Sequence, residues 1–423
     1  MRVFSPRWIQ LGILCFSLLG FSAAASANDF YVSASGSDSN DGSQARPWKT
    51  ISHALGSFSL GSGGTTIHVG NGSYASLDIT RGGSSGARLV LQCDNGTDSA
   101  TAASNQCTIS SGGAGILVEA NNIDIVGFDI GNNANMGTGI DVVANGGSSG
   151  NSVHLIGNYI HDLGGNVSPS AGDAGGPGCP ESGAILYQSG PTDAQAIRNF
   201  VTRYGNVANR GNCNFAQGIY FSGSPGAIAQ DNIVVQPVVG GIVFGASCGV
   251  TVANNTVLNT VDAIIFGDHD NFRCPGSASG QNTVTNNYLA AYTNAVFNVS
   301  STPDCTSSAP TLFSHNISDG AGTDFKPARS SCDTVSTWSH QAPTAFLVNY
   351  QANGTGDYHL KSGSMGIAAG AIACVSGGVS PCTPTSDFEG TARVVPISVG
   401  AFEVVQSASG LPSPPSGLAA VVQ

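Results

Sequence analysis

Charge is scarce in this chain. Charged residues make up 9% of the 423, against about 25% in an ordinary soluble domain. Lysine occurs three times, at Lys49, Lys326 and Lys361, and methionine and tryptophan three times each. Coiled coils and long-helix bundles need Lys, Arg, Glu and Leu in quantity, so both are excluded. A formal net charge of −12 excludes a typical basic nucleic-acid binder and repels anionic membrane. Beyond the first residues no apolar run is long enough to span a bilayer. The 58 glycines have no three-residue period, which excludes collagen. No CxxC or HxxxH spacing supports a zinc site.

What is present is 41% hydrophobic residues and 32 asparagines. That composition describes Val/Ile-rich strands turned by Gly and Asn, an all-β protein. The N-terminus reads as an export signal. Arg2 and Arg7 precede an apolar run from Ile9 to Phe21, and Ala25-Ser26-Ala27 is a small-x-small cleavage site. A secreted or periplasmic protein is therefore expected. Of 11 cysteines, Cys15 lies in the signal. The other ten are expected to pair as Cys93–Cys107, Cys179–Cys213, Cys248–Cys274, Cys305–Cys332 and Cys374–Cys382.

An internal repeat decides the architecture. Gly115-Ile116-Leu117-Val118, Gly139-Ile140-Asp141-Val142, Ala184-Ile185-Leu186-Tyr187, Gly218-Ile219-Tyr220-Phe221, Gly241-Ile242-Val243-Phe244, Ala263-Ile264-Ile265-Phe266 and Ala295-Val296-Phe297-Asn298 share one pattern. Their basal spacing is 22–24 residues, with insertions. Each is followed by a second strand, and Asn158, Asn199, Asn232, Asn255 and Asn287 fall in one column of these. A unit this short cannot bury its own apolar face, whereas stacked units form a parallel-strand solenoid with one continuous core. Ile185, Ile219, Ile242 and Ile264 should form one inward ladder, and Tyr187, Phe221, Phe244 and Phe266 an aromatic one. The asparagines should sit at a bend and bond the backbone of neighbouring coils. The expected organisation is a signal (1–27), an N-terminal cap (28–64) with a short helix at Lys49–Leu55, the solenoid (65–317), a closing segment (318–405) and a Ser/Pro/Ala-rich tail (406–423).

Two flanking segments carry a resemblance. The first runs Asp29-Phe30-Tyr31-Val32-Ser33-Ala34-Ser35-Gly36-Ser37-Asp38-Ser39-Asn40-Asp41-Gly42 and on to Pro47-Trp48-Lys49-Thr50-Ile51-Ser52-His53-Ala54-Leu55. The second comprises Asp357-Tyr358-His359-Leu360-Lys361-Ser362-Gly363-Ser364, Asp387-Phe388-Glu389-Gly390-Thr391-Ala392-Arg393 and Val399-Gly400-Ala401-Phe402-Glu403. Together they resemble the lead-in and closing segments of secreted right-handed parallel β-helix proteins. Polysaccharide lyases of the pectate lyase and chondroitinase B type are among those. The resemblance implies that fold and a lyase acting on a uronic acid-containing polysaccharide, sometimes with Ca²⁺. Two departures stand out. The family-nine pectate lyases use a lysine base on the helix, and here all three lysines fall outside 65–317. Met365 and Ala368 stand where the closing motif usually has Pro and Asp.

β-Elimination needs a cation to neutralise the uronate carboxylate, a base for the C5 proton and an acid for the leaving oxygen. Four residues past the Asn column come Asp162, Arg203, Gln236 and Asn259, which stacking would place about 5 Å apart. His161 and Tyr204 flank them. Arg203 is expected to neutralise the carboxylate, His161 to act as base, Tyr204 as acid and Asp162 to orient its neighbours. The blander reading is a corner salt bridge, Asp162 to Arg203, beside a solvated histidine. Arg198, Arg210, Gln236 and Tyr220 are expected to contact substrate. So are Asp268, His269 and Arg273 in the run Asp268-His269-Asp270-Asn271-Phe272-Arg273, whose acids could instead hold Ca²⁺ or form a glycosidase pair. No metal site is assigned. A polysaccharide is the expected partner, with no nucleic acid, no membrane insertion and a monomeric state. The rival functions are a glycoside hydrolase on the same scaffold and a non-catalytic glycan-binding or surface β-helix.

Overall fold

The repeated Gly/Ala-Ile-x-aromatic segments become strands paired in parallel, one coil above the next. The computed structural model describes residues 27–94, 106–144, 149–168, 176–180, 182–210, 212–213, 215–267, 282–299, 311–326, 333–371 and 385–404. Three parallel sheets run the length of the molecule. One has eleven strands, from Asn28–Val32 to Thr334–Val335. One has ten, from Gly72–Tyr74 to Trp338–His340, and one has nine, from Leu77–Ile79 to Thr323–Lys326. The chain visits the three in turn, which makes a right-handed parallel β-helix.

Alternation explains the core. Ile116, Ile140, Ile185, Ile219, Ile242 and Ile264 are register partners in the nine-stranded sheet and fully buried. Beside them Tyr187, Phe221, Phe244 and Phe266 stack at centroid spacings of 4.8, 4.9 and 5.2 Å. These spacings follow the strand separation and favour offset ring contact. The last repeat is offset by one residue from the sequence pattern, because Ile264 pairs with Phe297 rather than Val296.

The bends require left-handed backbone. Arg198, Asp231, Asn254, Asn286 and His315 have φ of 53–57° immediately before the Asn column. A side chain in that region costs roughly 1–2 kcal/mol, and the asparagines offset this. From Asn199 onward each Oδ1 accepts the backbone N–H and side-chain N–H of the asparagine on the preceding coil, while Asn158 Oδ1 accepts Phe128 N–H. The column runs Asn158, Asn199, Asn232, Asn255, Asn287 and Asn316. Each Nδ2 also donates to a backbone carbonyl, as Asn232 does to Ala196 at 2.8 Å. All six amides are buried.

The N-terminal cap contains helix Ile51–Ser57, whose Thr50 side chain accepts His53 N at 3.2 Å. Ile51, Ala54 and Leu55 pack on the first coil with Trp48 and Phe58. At the other end the coils continue past Ile317, through Trp338–His340. The segment after them does not simply close the end. Helix Pro343–Phe346 and the antiparallel pair Leu347–Asn349 and Asp357–Leu360 lie along the outer face of the ten-stranded sheet. Phe346, Tyr358, Phe388 and Phe402 there form a second apolar layer with Tyr159, Phe200, Leu258 and Tyr288. Tyr288 and Phe346 stack at 3.6 Å. Arg393 of this segment pairs with Asp231 and Glu403, all three buried.

Cys93–Cys107 and Cys179–Cys213 are disulfides, as the spacing suggested. Cys248 is also disulfide-bonded, while Cys274, Cys305, Cys332, Cys374 and Cys382 lie outside the described residues, as do the export signal and the tail. No helix among the described residues is long and apolar enough to cross a membrane.

Candidate functional site

The corner past the ten-stranded sheet brings the predicted column together. Asp162, Arg203, Gln236 and Asn259 all have φ between 52 and 62°. Strands Tyr159–Leu163 and Phe200–Tyr204 pair in parallel, with His161 opposite Thr202. Arg203 Nε donates to Asp162 Oδ1 and Nη2 to Oδ2, both at 2.6 Å. This is a two-pronged fork across one coil.

His161 lies between two carboxylates. Its Nδ1 is 2.6 Å from Asp162 Oδ2 and its Nε2 is 2.9 Å from Asp129 Oδ1. Its ring stacks on Tyr159 at 4.1 Å. Gly131 on the coil below makes this possible, since a Cβ there would collide with the carbonyl oxygen and imidazole of His161. Burial pulls the His161 pKa down, but the hydrogen bonds to Asp129 and Asp162 outweigh it and leave it raised. Burial likewise works to raise Asp162, and the bonds from Arg203 and His161 hold it well below the usual carboxylate range.

Two expected roles change. A general base needs a free lone pair, and both ring nitrogens of His161 face carboxylates that favour the imidazolium. His161 is therefore a proton donor held in an ion cluster. Tyr204 is not on the outside at all. It is buried, and its Oη lies 2.6 Å from Gly137 O and 2.9 Å from Ser182 Oγ. The left-handed residue Arg203 resets the strand alternation, so the residue after it turns into the core. Leu163, its register partner, does the same after Asp162.

Arg210 joins the column from the following insertion. Its Nη1 donates to Asn259 Oδ1 at 2.6 Å and its Nη2 to Asn259 O at 2.8 Å, while its Nε is buried without a partner. No carboxylate pairs with it among the described residues. Burial lowers its pKa, and the Tyr350 phenol interacts with it electrostatically. Tyr350 belongs to the closing segment, whose turn bonds the column twice more. Arg203 Nη1 donates to Asn353 O at 2.9 Å, and Asn259 Nδ2 to Ala352 O at 2.7 Å. Tyr159 and Tyr350 were not found from sequence. Tyr159 directly follows Asn158 of the asparagine column, and its place two residues before His161 was the available signal. Nothing local marked Tyr350, which arrives from a distant segment.

The remaining candidates are dispersed. Arg198 stands at the bend before strand Phe200–Tyr204, away from Arg203 and near Gly390 of the closing segment. Gln236 is half-buried within the column. Tyr220 faces outward on the nine-stranded sheet, with its Oη over Gly245, so it does not share a face with Arg203. Asp268, His269 and Arg273 lie outside the described residues. Lys326 does stand on the coils, on the last strand of the nine-stranded sheet, and donates to Asn294 Oδ1 at 2.8 Å. Asn294 and Asn298 in turn donate to the buried Asp262. On the same sheet Gln188 Nε2 donates to both oxygens of Asp141, at 2.7 and 2.9 Å. Burial, opposed by Gln188 and assisted by Glu119, raises the Asp141 pKa. Among the described residues no cluster of three or more His, Cys, Asp or Glu could hold a metal ion.

No family model matches the chain, and no curated protein matches it. Solved structures do. The pectate lyase Pel9A is similar with a TM-score of 0.51 at 14% identity, over 90% of this chain and 97% of that one. An alginate lyase from Paenibacillus sp. str. FPU-7 has a TM-score of 0.44 at 14% identity, over 74% and 98%. A rhamnogalacturonan lyase has a TM-score of 0.43 at 11% identity, over 77% and 91%. At such identities the likeness is one of fold, and the fold it supports is a right-handed parallel β-helix resembling that of pectate lyase Pel9A.

Proposed function

We propose that this protein is an exported polysaccharide lyase that cleaves a uronic acid-containing polymer by β-elimination. The observation that carries the reading is Arg210, a half-buried guanidinium with no carboxylate partner among the described residues, within electrostatic reach of the Tyr350 phenol. A uronate carboxylate supplies the missing counter-charge, and its neutralisation makes the C5 proton removable. Tyr350 takes that proton, C4=C5 forms as the C4–O bond breaks, and Tyr350 returns the proton to the leaving oxygen. Tyr350 enters as the phenolate, which Arg210 stabilises, stands as the neutral phenol between these steps, and is the phenolate again once the leaving oxygen is protonated. Arg203, held flat by Asp162, and Gln236 line the corner along which the polymer runs. The disulfides suit the oxidising compartment that an export signal implies.

The test is absorbance near 235 nm during incubation with pectate, alginate and glycosaminoglycans. A rise marks the unsaturated product, and both Arg210→Ala and Tyr350→Phe should remove at least 100-fold of its rate. Loss with Lys326→Ala, but not with those two, moves the centre to the nine-stranded sheet. A second reading is hydrolysis at Asp141 and Glu119, favoured by the raised Asp141 carboxyl. It predicts new reducing ends with no absorbance.

A further inference from the structure

The N-terminal cap borders a half-open cavity of about 260 Å³ that the proposed chemistry does not use. It lies between the start of helix Ile51–Ser57 and the first strands of the ten- and nine-stranded sheets. Tyr74, Ile51 and Leu77 supply its apolar wall, and Lys49, Thr50 and Ser52 its polar rim. Tyr74 is held in place because its Oη donates to Gly70 O at 2.6 Å, so a fixed aromatic ring faces the space. Lys49 differs from the other described basic residues. Its backbone N–H is tied to Asp38, but its ammonium has no hydrogen-bond or ion-pair partner among the described residues. Lys326 and Lys361 are both engaged, with Asn294 and Thr344.

An aromatic wall, a few hydroxyls and one unpaired cation match the faces of an acidic sugar, whose C–H surface packs on a ring while its carboxylate seeks a positive charge. The volume falls below the roughly 300–1,000 Å³ of clefts that hold larger ligands, so one ring fits rather than an oligomer. We propose that this cavity is a second binding subsite for a single uronate residue of the polymer, resting on the substrate class read above. Strand Gly72–Tyr74 is six strands from Thr256–Leu258, the strand before Asn259. At the parallel spacing that is about 29 Å along the axis. A polymer laid along the coils thus meets an anchoring point well away from Arg210.

The test is calorimetric titration of the full chain with tetragalacturonate and with tetramannuronate, using a neutral glucose tetramer as control. It is done in the wild type and in an Arg210→Ala background. In that background an acidic tetramer should still bind and the neutral one should not. Lys49→Glu or Tyr74→Ala should then weaken binding at least fivefold, while Tyr74→Phe, which keeps the ring, should not. Melting curves establish that each variant is folded. Binding that ignores both substitutions, or no binding of either acidic tetramer, overturns the subsite. The two readings fail separately. A protein that gives no rise at 235 nm, yet loses tetramer affinity with Lys49→Glu, keeps the subsite and loses the lyase assignment. A protein that turns over polymer, with affinity indifferent to Lys49 and Tyr74, does the reverse.

Discussion

Arg203 and Asp162, 41 residues apart in the chain, meet one coil apart through two 2.6 Å hydrogen bonds. The same guanidinium donates to Tyr159 Oη at 3.2 Å and to Asn353 O, so it joins the coil stack to the closing segment. Arg203→Ala should cost about 1–2 kcal/mol in urea unfolding, modest because the pair is partly exposed. It should also raise the protease sensitivity of the turn at 350–354. Arg203→Lys should restore little of either, since a point charge cannot make the fork. Unchanged stability and unchanged proteolysis in Arg203→Ala would remove the joining role.

The His161 cluster predicts a pH optimum for stability. The folded-state pKa of His161 lies above its ordinary 6.5, so its contribution is complete below that pH and is lost as pH rises through the folded value. The folded-state pKa of Asp162 lies below its ordinary 3.8, so its contribution holds above that pH and fades as pH falls further. Between these limits Asp162, Arg203 and His161 are all charged. The melting temperature should peak there and decline on the alkaline side, and His161→Gln should flatten that decline. An equal alkaline slope in the variant would show that His161 is neutral in the folded protein.

Tyr204→Phe separates a core hydroxyl from a catalytic one. The substitution removes the Oη bonds to Gly137 O and Ser182 Oγ, which still bond each other, at about 1 kcal/mol. Turnover per folded molecule should stay within twofold of wild type. A fall of 100-fold with unchanged stability would return Tyr204 to the chemistry.

Asn232→Ala should be among the most damaging single changes. Asn232 Oδ1 accepts two bonds from Asn199, and its Nδ2 donates to Ala196 O and Asn255 Oδ1, all buried. Removing the amide strands several buried groups, at roughly 2–4 kcal/mol, which a shifted urea midpoint would report. Asn232→Asp should be as harmful, because a carboxylate cannot donate to Ala196 O. A cost below 0.5 kcal/mol for either would mean water fills the ladder, contrary to the closed amide chain.

The coils were legible because burial is written as a period. Ile185, Ile219, Ile242 and Ile264 recur in phase, and parallel pairing puts such residues in one ladder whatever the insertions between them. The Asp162–Arg203 meeting followed from the same phase. What the period could not carry was side-chain direction at the bends. Tyr204 reads as an outward neighbour of Arg203 until the positive φ of Arg203 resets the alternation. Contacts from outside the repeat were equally hidden. Tyr350 and Asn353 reach the column from a segment with no phase relation to it, and so does Arg393, which meets Asp231. Lys326 was misjudged for a related reason: the coils run on beyond the point where the pattern fades.

The asparagine ladder also fixes the quantum by which this protein can be lengthened or shortened. Asn232 and Asn255 stand 23 residues apart, and each grips the next rung through the same pair of bonds. Excising residues 232–254 would splice Asp231 directly to Asn255, and the amide chain would resume one storey lower. Cutting a single residue from within a strand would instead turn its following side chains to the opposite face from their neighbours. Tandem duplication and loss of whole turns, with extra chain tolerated only at the corners, is the route such an architecture leaves open to change.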